Sequence, residues 1–342
     1  MRPLQNTLYV LTPDSYLFWE NECIGIRVGG EEKVRVPAHT IESILCFGNT
    51  TVSTPLIRFC GQNGIALSFL SENGQFYGRI YGPVSGNILL RRQQFLIASD
   101  PIACIRYASG FLCGKLLNEK NMLLRAARES HDSQAADRLR QAANTIAGMT
   151  EILVLGSSID SLRGLEGAAA QTYFGCFDDM LRAKDPQLRF VQRSRRPPKN
   201  EINAVLSFVY MLLKNDMQAA LEATGLDPAC GFLHTLRPGR PALALDLMEE
   251  LRAPLCDRFV LALFNRGQLR AKDFCNEAGQ FSISENARKM ILSSWQARKR
   301  ESIQHPFLKE KILIGMIPFT QATLLARTLR GDLDEYPPFA WR

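Results

Sequence analysis

Three acids crowd the stretch Ala244-Leu245-Asp246-Leu247-Met248-Glu249-Glu250-Leu251-Arg252. In a helix, Asp246 shares a face with Glu249 at i+3 and with Glu250 at i+4. Their repulsion must be offset by water, by a cation or by arginines. Glu166 lies in Gly164-Leu165-Glu166-Gly167-Ala168-Ala169-Ala170, where small residues let a helix pack closely on a neighbour. A carboxylate there needs compensation, either from an arginine in a buried ion pair or from a metal ion. His234 follows Phe232-Leu233 and precedes the turn Arg237-Pro238-Gly239. It is either a hydrogen-bonded loop residue or an imidazole ligand. His39, His131 and His305 lack comparable acidic partners. A carboxylate on one helix, an imidazole on a loop and an acidic pair on the helix after that loop suit Mg²⁺ or Mn²⁺. Such ions stabilise the attacking and leaving oxygens of a phosphoryl displacement. The plain alternatives are a buried ion pair, a polar loop and a solvated acidic face.

A phosphoryl substrate needs positive charge beside such a site. The chain has 41 Lys and Arg against 34 Asp and Glu, a net +7. Between positions 182 and 199 stand Arg182, Lys184, Arg189, Arg193, Arg195, Arg196 and Lys199 against Asp185 alone, a net +6. The strip is either a solvated linker or a surface for a nucleic-acid backbone. A second cluster is Arg298-Lys299-Arg300. No Gly-x-x-x-x-Gly-Lys-[Ser/Thr] sequence occurs, which argues against a P-loop.

The elements that must position these residues divide near position 85. Before it, 7–11, 24–28, 33–37, 41–47, 65–70 and 75–80 read as short strands between Gly and Asn turns, with a helix at 54–62. Asn73-Gly74 predicts a tight hairpin turn. Gly82-Pro83 and Gly86 mark the boundary. Beyond it the pattern is helical: 87–99, 102–128, 133–147, 150–159, 161–181, 201–224, 241–263, 284–301 and 306–330. Asp100-Pro101 is an N-cap followed by a first-turn proline. The tail 332–342 is expected to fray or dock loosely. The fold class is therefore α+β: a small β-rich N-terminal domain at 1–85, then a larger all-α domain at 86–342.

The 342 residues, 46% hydrophobic and 22% charged, fit an ordinary globular chain and exclude collagen-like and wholly disordered classes. Nine scattered cysteines without a C-x-x-C pair read as reduced core residues. The N-terminus does not resemble a signal peptide, and no apolar run approaches the ~20 residues of a membrane span. A cytoplasmic protein with no membrane partner is expected.

The order of these features resembles the CRISPR-associated integrase family called Cas-one. The resemblance rests on Gly164-Leu165-Glu166-Gly167, Pro197-Pro198 with Asn203, His234, and Leu243 to Arg252, and it spans nearly the whole chain. The loop Thr235 to Arg240 is most similar to the type I-C branch. The resemblance implies a metal-dependent DNA endonuclease and integrase. In that reading Glu166, His234 and Glu249 are the metal ligands for Mg²⁺ or Mn²⁺. Asp246 is a supporting or alternate ligand within the catalytic set, and Glu250 stays open as another. Arg189, Arg193, Arg195, Arg196, Lys199 and Arg240 are the implied DNA contacts. Arg163, Tyr173 and Asn203 orient ligands or touch DNA. The implied reaction is attack of a DNA 3′-OH on a phosphodiester at the CRISPR repeat. The implied partners are double-stranded DNA, a second copy of the chain, the Cas-two protein and, as a further candidate, a Cas-four nuclease. Rival readings are a non-catalytic DNA-binding scaffold, a metal-dependent nuclease on branched DNA or RNA, and a regulatory binding protein without metal.

Overall fold

The computed structural model describes residues 7–41, 43–72, 76–80, 82, 88–153, 158–182, 185 and 187–341. The chain divides into two compact units. One comprises Met1–Gly86, Arg288–Ile303 and Leu313–Ile317; the other holds the remainder.

The first unit begins with β1 (Thr7–Val10), β2 (Ser15–Glu20), β3 (Cys23–Val28), β4 (Glu31–Pro37), β5 (Ser43–Phe47) and β6 (Thr50–Val52). α1 (Thr54–Asn63), β7 (Ala66–Leu70) and β8 (Phe76–Ile80) follow. Two four-stranded sheets result, ordered β1-β5-β7-β8 and β4-β3-β2-β6. α1 starts at Ser53, which accepts from the Leu56 N–H, and stops at Gly64 with φ 66°. That left-handed backbone suits glycine. Leu17, Ile24, Ile44, Leu56 and Leu67 are fully buried in one apolar core. The sequence pattern misses β2 because a central strand is apolar on both faces and alternates poorly. The Asn73-Gly74 turn, Pro83 and Gly86 lie outside the described residues.

The second unit carries α2 (Ile88–Ala98), α3 (Pro101–Glu129), α4 (Ser133–Leu153), α5 (Ile159–Gly175) and α6 (Glu201–Ala223). α7 (Ala242–Leu251), α8 (Arg258–Asn265), β9 (Phe274–Glu277) and β10 (Gln280–Ile283) follow. Asp100 caps α3 by accepting from the Ile102 and Ala103 N–H groups. α3 packs against α4, α5 and α7. The helix expected over 241–263 is two helices separated by a π turn, Arg252–Asp257. Pro254 lies in that turn and cannot donate to a helical ladder. The helix expected from 306 begins at Ile317. Strands β11 (Ser302–Gln304) and β12 (Lys311–Leu313) precede it, and α10 (Ile317–Arg330) follows α9 (Glu285–Lys299) in chain order.

Two expectations change here. The region after position 86 is mostly helical but contains the antiparallel β9–β10 hairpin. It also does not stay in one unit, because α9 from Arg288 onward groups with the β-rich unit. Its Ile291, Leu292 and Trp295 are buried, and Lys299 donates to Thr7 Oγ1 of β1 at 3.5 Å. An amphipathic helix needs a face to cover its stripe, wherever that face lies in the chain. Among the described residues no single helix is long and apolar enough to cross a membrane.

Candidate active site

α7 and the loop before it meet through Asp246, which is fully buried. Its Oδ2 accepts from the Phe232 N–H at 2.6 Å and the Leu233 N–H at 3.0 Å. Its Oδ1 accepts from the His234 N–H at 2.9 Å and lies 2.6 Å from His234 Nδ1. The ring must donate from Nδ1 to that carboxylate, so in the neutral imidazole Nε2 holds the lone pair. Gly231 makes this approach feasible: a Cβ there would stand 2.6 Å from Asp246 Oδ2. Arg163 adds a second tether, donating from Nε to the Leu233 carbonyl at 2.7 Å. Asp246 therefore holds His234 in place, and its acceptor capacity is already taken by four donors.

His234 Nε2 lies 3.8 Å from Oε1 of Glu249. Glu249 is almost wholly buried, one helical turn beyond Asp246. Burial alone would raise its pKa, but Arg252, Lys115 and His234 pull it well below the usual carboxylate range. Arg252 reaches Oε1 at 3.0 Å, and Lys115 donates to Oε2 at 2.9 Å. The same Lys115 ammonium also donates to Glu166 Oε1. Lys115 is buried, which disfavours its charge, but Glu249, Glu119 and Glu166 around it raise its pKa overall. Glu119, one turn further along α3, has its pKa raised to about 8 by burial, against the pull of Lys115.

A second layer supports this cluster. Asp257, from the π turn, accepts from Tyr210 Oη at 2.6 Å and Tyr173 Oη at 3.1 Å. Burial raises its pKa to about 6 in spite of those bonds and of Arg193 and Arg252. The Arg193 and Arg252 guanidinium carbons lie 5.4 and 5.2 Å from the Tyr210 ring centre. Arg252 opens the π turn, at i+3 from Glu249, and Asp257 closes it beneath Tyr210 and Tyr173.

The remaining sequence candidates separate clearly. Glu250 faces away from the cluster: Tyr336 Oη, Gln321 Nε2 and the Phe339 N–H all donate to it. His305, expected to lack an acidic partner, is buried and bonded to Gln321 Oε1 at 3.0 Å, one residue removed from Glu250. The tail does not fray. Phe339 is fully buried, and Asn118 holds both the Phe339 carbonyl and the Trp341 N–H. Tyr173 and Asn203 are buried, which removes them as DNA contacts. Asn203 instead ties down the basic strip: its Oδ1 accepts from Arg193 and the Ser194 N–H, and its Nδ2 donates to the Gln192 carbonyl. Arg193 also turns inward, donating to Ser207 Oγ, and burial lowers its pKa to about 10. Arg189, Arg195, Arg196 and Lys199 are exposed, and Arg240 is half-buried. Lys184 of the strip lies outside the described residues.

Sequence reading passes over Lys115 and Glu119, and it names Arg252 beside the acidic face without a role. The available signal was Lys115, Asn118 and Glu119 at i, i+3 and i+4, one face of a helical stretch.

Among the described residues, no three His, Cys, Asp or Glu side chains stand ready to hold a metal ion. The Lys115 ammonium takes the place between Glu166 and Glu249. The donor chemistry still fits a divalent cation. Two donors about 2.1 Å from one ion can be up to roughly 4.2 Å apart. His234 Nε2 and Glu249 Oε1 fall inside that span.

The model of the family "CRISPR associated protein Cas1" matches residues 8–297. The chain belongs to this family. It is 46% identical over 343 residues to a CRISPR-associated endonuclease Cas1 of Chlorobaculum tepidum, covering 100% of both chains. It is also 46% identical, over 348 residues and 100% of both, to one from Rhodospirillum rubrum. A Cas4 exonuclease/Cas1 endonuclease fusion from Geobacter sulfurreducens is 34% identical over 98% of this chain and 60% of the fusion. Among solved structures, a CAS1 protein from Thermotoga maritima superposes with a TM-score of 0.82 at 21% identity, covering 96% and 97% of the two chains. A Cas6-RT-Cas1–Cas2 complex gives 0.82 at 20% identity, over 98% of this chain and 36% of that one. A casposase bound to its integration product gives 0.81 at 20%, over 99% and 95%. At such identities these structures speak for the fold: the mixed β-then-helical architecture is that of Cas1 proteins.

Proposed function

We propose that this protein is a metal-dependent DNA endonuclease and integrase that inserts short fragments at a CRISPR repeat. The observation that carries the reading is the His234 arrangement. A buried carboxylate fixes Nδ1, and Nε2 faces the buried Glu249. That is how metal-binding histidines are held. Glu166, His234 and Glu249 are the ligands, and Asp246 positions His234. Bound there, Mg²⁺ or Mn²⁺ supplies charge stabilisation at the phosphoryl oxygens and acidifies the attacking hydroxyl.

The chain's own groups do the rest. Arg252 orients Glu249 from 3.0 Å away. Arg163 holds the His234 loop through the Leu233 carbonyl. The exposed Arg189, Arg195, Arg196 and Lys199, with Arg240, hold the phosphates of double-stranded DNA. A DNA 3′-OH attacks a phosphodiester and displaces another 3′ oxygen, so one bond replaces another and no nucleotide cofactor is needed. With water as the nucleophile, the same site cuts. The protein works in the cytoplasm as a homodimer joined through its β-rich unit. It acts with the Cas-two protein and, as the Cas4/Cas1 fusions suggest, with a Cas-four nuclease.

Strand transfer tests the reading. Wild type, Glu166→Ala and His234→Ala are mixed with a supercoiled repeat plasmid, a labelled duplex, the Cas-two partner and Mn²⁺. Label joined to plasmid by wild type alone is expected. Equal joining by all three would remove these residues from the chemistry. Metal-dependent cutting without joining would leave a nuclease, and neither activity would leave a scaffold.

A further inference from the structure

Lys115 contacts two of the three proposed ligands at once, Glu166 and Glu249. It stands where a shared cation would lie and supplies one positive charge in its place. A third carboxyl group stands beside it. Glu119 Oε1 is 3.9 Å from Lys115 Nζ, and Glu119 Oε2 is buried without a hydrogen-bond partner among the described residues. A buried carboxyl oxygen left open is unfavourable, so a donor that reaches it gains a hydrogen bond. Lys115 and Glu119 are four apart on α3, a spacing at which rotation of the lysine stem brings ammonium and carboxylate together without moving the backbone.

We propose that Lys115 is a two-position internal cation: it bridges Glu166 and Glu249 before the divalent ion arrives, and it withdraws to Glu119 as the ion loads. The proposal rests on the metal reading above. In the bridged position Lys115 keeps two carboxylates from repelling each other, so the ligand helices α5 and α7 stay together without metal. In the withdrawn position its charge satisfies the open oxygen of Glu119. The divalent ion must therefore compete with an ammonium, and its apparent affinity is reduced by the fraction of molecules in which Lys115 still bridges.

The test is a Mn²⁺ titration of the full-length protein, read from the electron paramagnetic resonance of free Mn²⁺. Wild type is compared with Lys115→Met, Glu119→Gln and the double variant. Lys115→Met is expected to bind Mn²⁺ about tenfold or more tightly, because the competing state is gone. Glu119→Gln is expected to bind more weakly, because the withdrawn position is lost. In the Lys115→Met background the Glu119 substitution should no longer matter. Equal or weaker binding by Lys115→Met overturns the proposal, as does a Glu119→Gln effect of the same size in both backgrounds. If Lys115→Met does not fold in EDTA, its thermal unfolding is repeated with Mn²⁺. Recovery of a cooperative transition supports replacement of one cation by the other, and no recovery overturns it. A wild type without a saturable site that Glu166→Ala and His234→Ala abolish would overturn the metal reading itself, and this proposal with it.

Discussion

A carboxylate that accepts three backbone N–H groups and an imidazole has little left to offer an ion, and Asp246 is in that position. In Asp246→Asn one oxygen becomes an NH₂ group facing N–H donors. The expected result is a folded protein whose Mn²⁺ affinity falls about 10–100-fold, as for other groups that hold metal ligands. Calorimetric titration checks this, and an unchanged affinity would contradict it. Asp257 makes a prediction about pH. Burial raises its pKa from 3.8 to about 6. Below the unfolded value both states hold the proton. Between the two values only the unfolded state releases it, so the folded state binds more protons and stability falls as pH rises through that window. Urea unfolding of wild type and Asp257→Asn should show this: their stability difference moves against wild type as pH rises from about 4 to 6. The acids and His234 were legible as residue types. Their division of labour was not, because Asp246, Glu249 and Glu250 differ in what approaches each in space, not in spacing.

At the scale of elements, the spacing of α3 and α7 sets the distance between Lys115 and Glu249. Gly114 permits it: a Cβ there would stand 2.7 Å from Glu250 Cβ and 3.1 Å from Pro338 Cβ. Gly114→Val should push the helices apart and lower the melting temperature by several degrees or more, since overpacking costs about 1–3 kcal/mol. The tail closes the same junction through Tyr336 and Phe339 on Glu250. Phe339→Ala should cost about 3–5 kcal/mol, measured by chemical denaturation. A loss under about 1 kcal/mol would mean that the tail adds little. The sequence marks where α3 starts, because its Asp100-Pro101 cap is local chemistry. It does not mark the π turn or the tail's destination. Pro254 interrupts a pattern that otherwise reads as one helix, and Glu250, which receives the tail's Tyr336 and Phe339, lies more than 80 residues away.

At the scale of the molecule, a net +6 of the chain's net +7 falls in one strip, held at its base by Asn203. Exposed cations that meet DNA phosphates release counterions. Replacing Arg195, Arg196 and Lys199 with alanine should therefore flatten the slope of log affinity against log salt by about 2–3. Fluorescence anisotropy across a salt series reads that slope. An unchanged slope would make the strip a solvated linker. The two-part plan of β then α was legible from periodicity, whereas the return of α9 to the β-rich unit was not, since an amphipathic stripe does not say which surface will cover it. The central claim is that Glu166, His234 and Glu249 share one divalent ion. Anomalous diffraction from crystals soaked in Mn²⁺ tests it most directly. The account predicts a single strong peak bound by His234 Nε2 and the Glu166 and Glu249 carboxylates. A peak elsewhere, or none at a Mn²⁺ concentration that saturates binding, would contradict it.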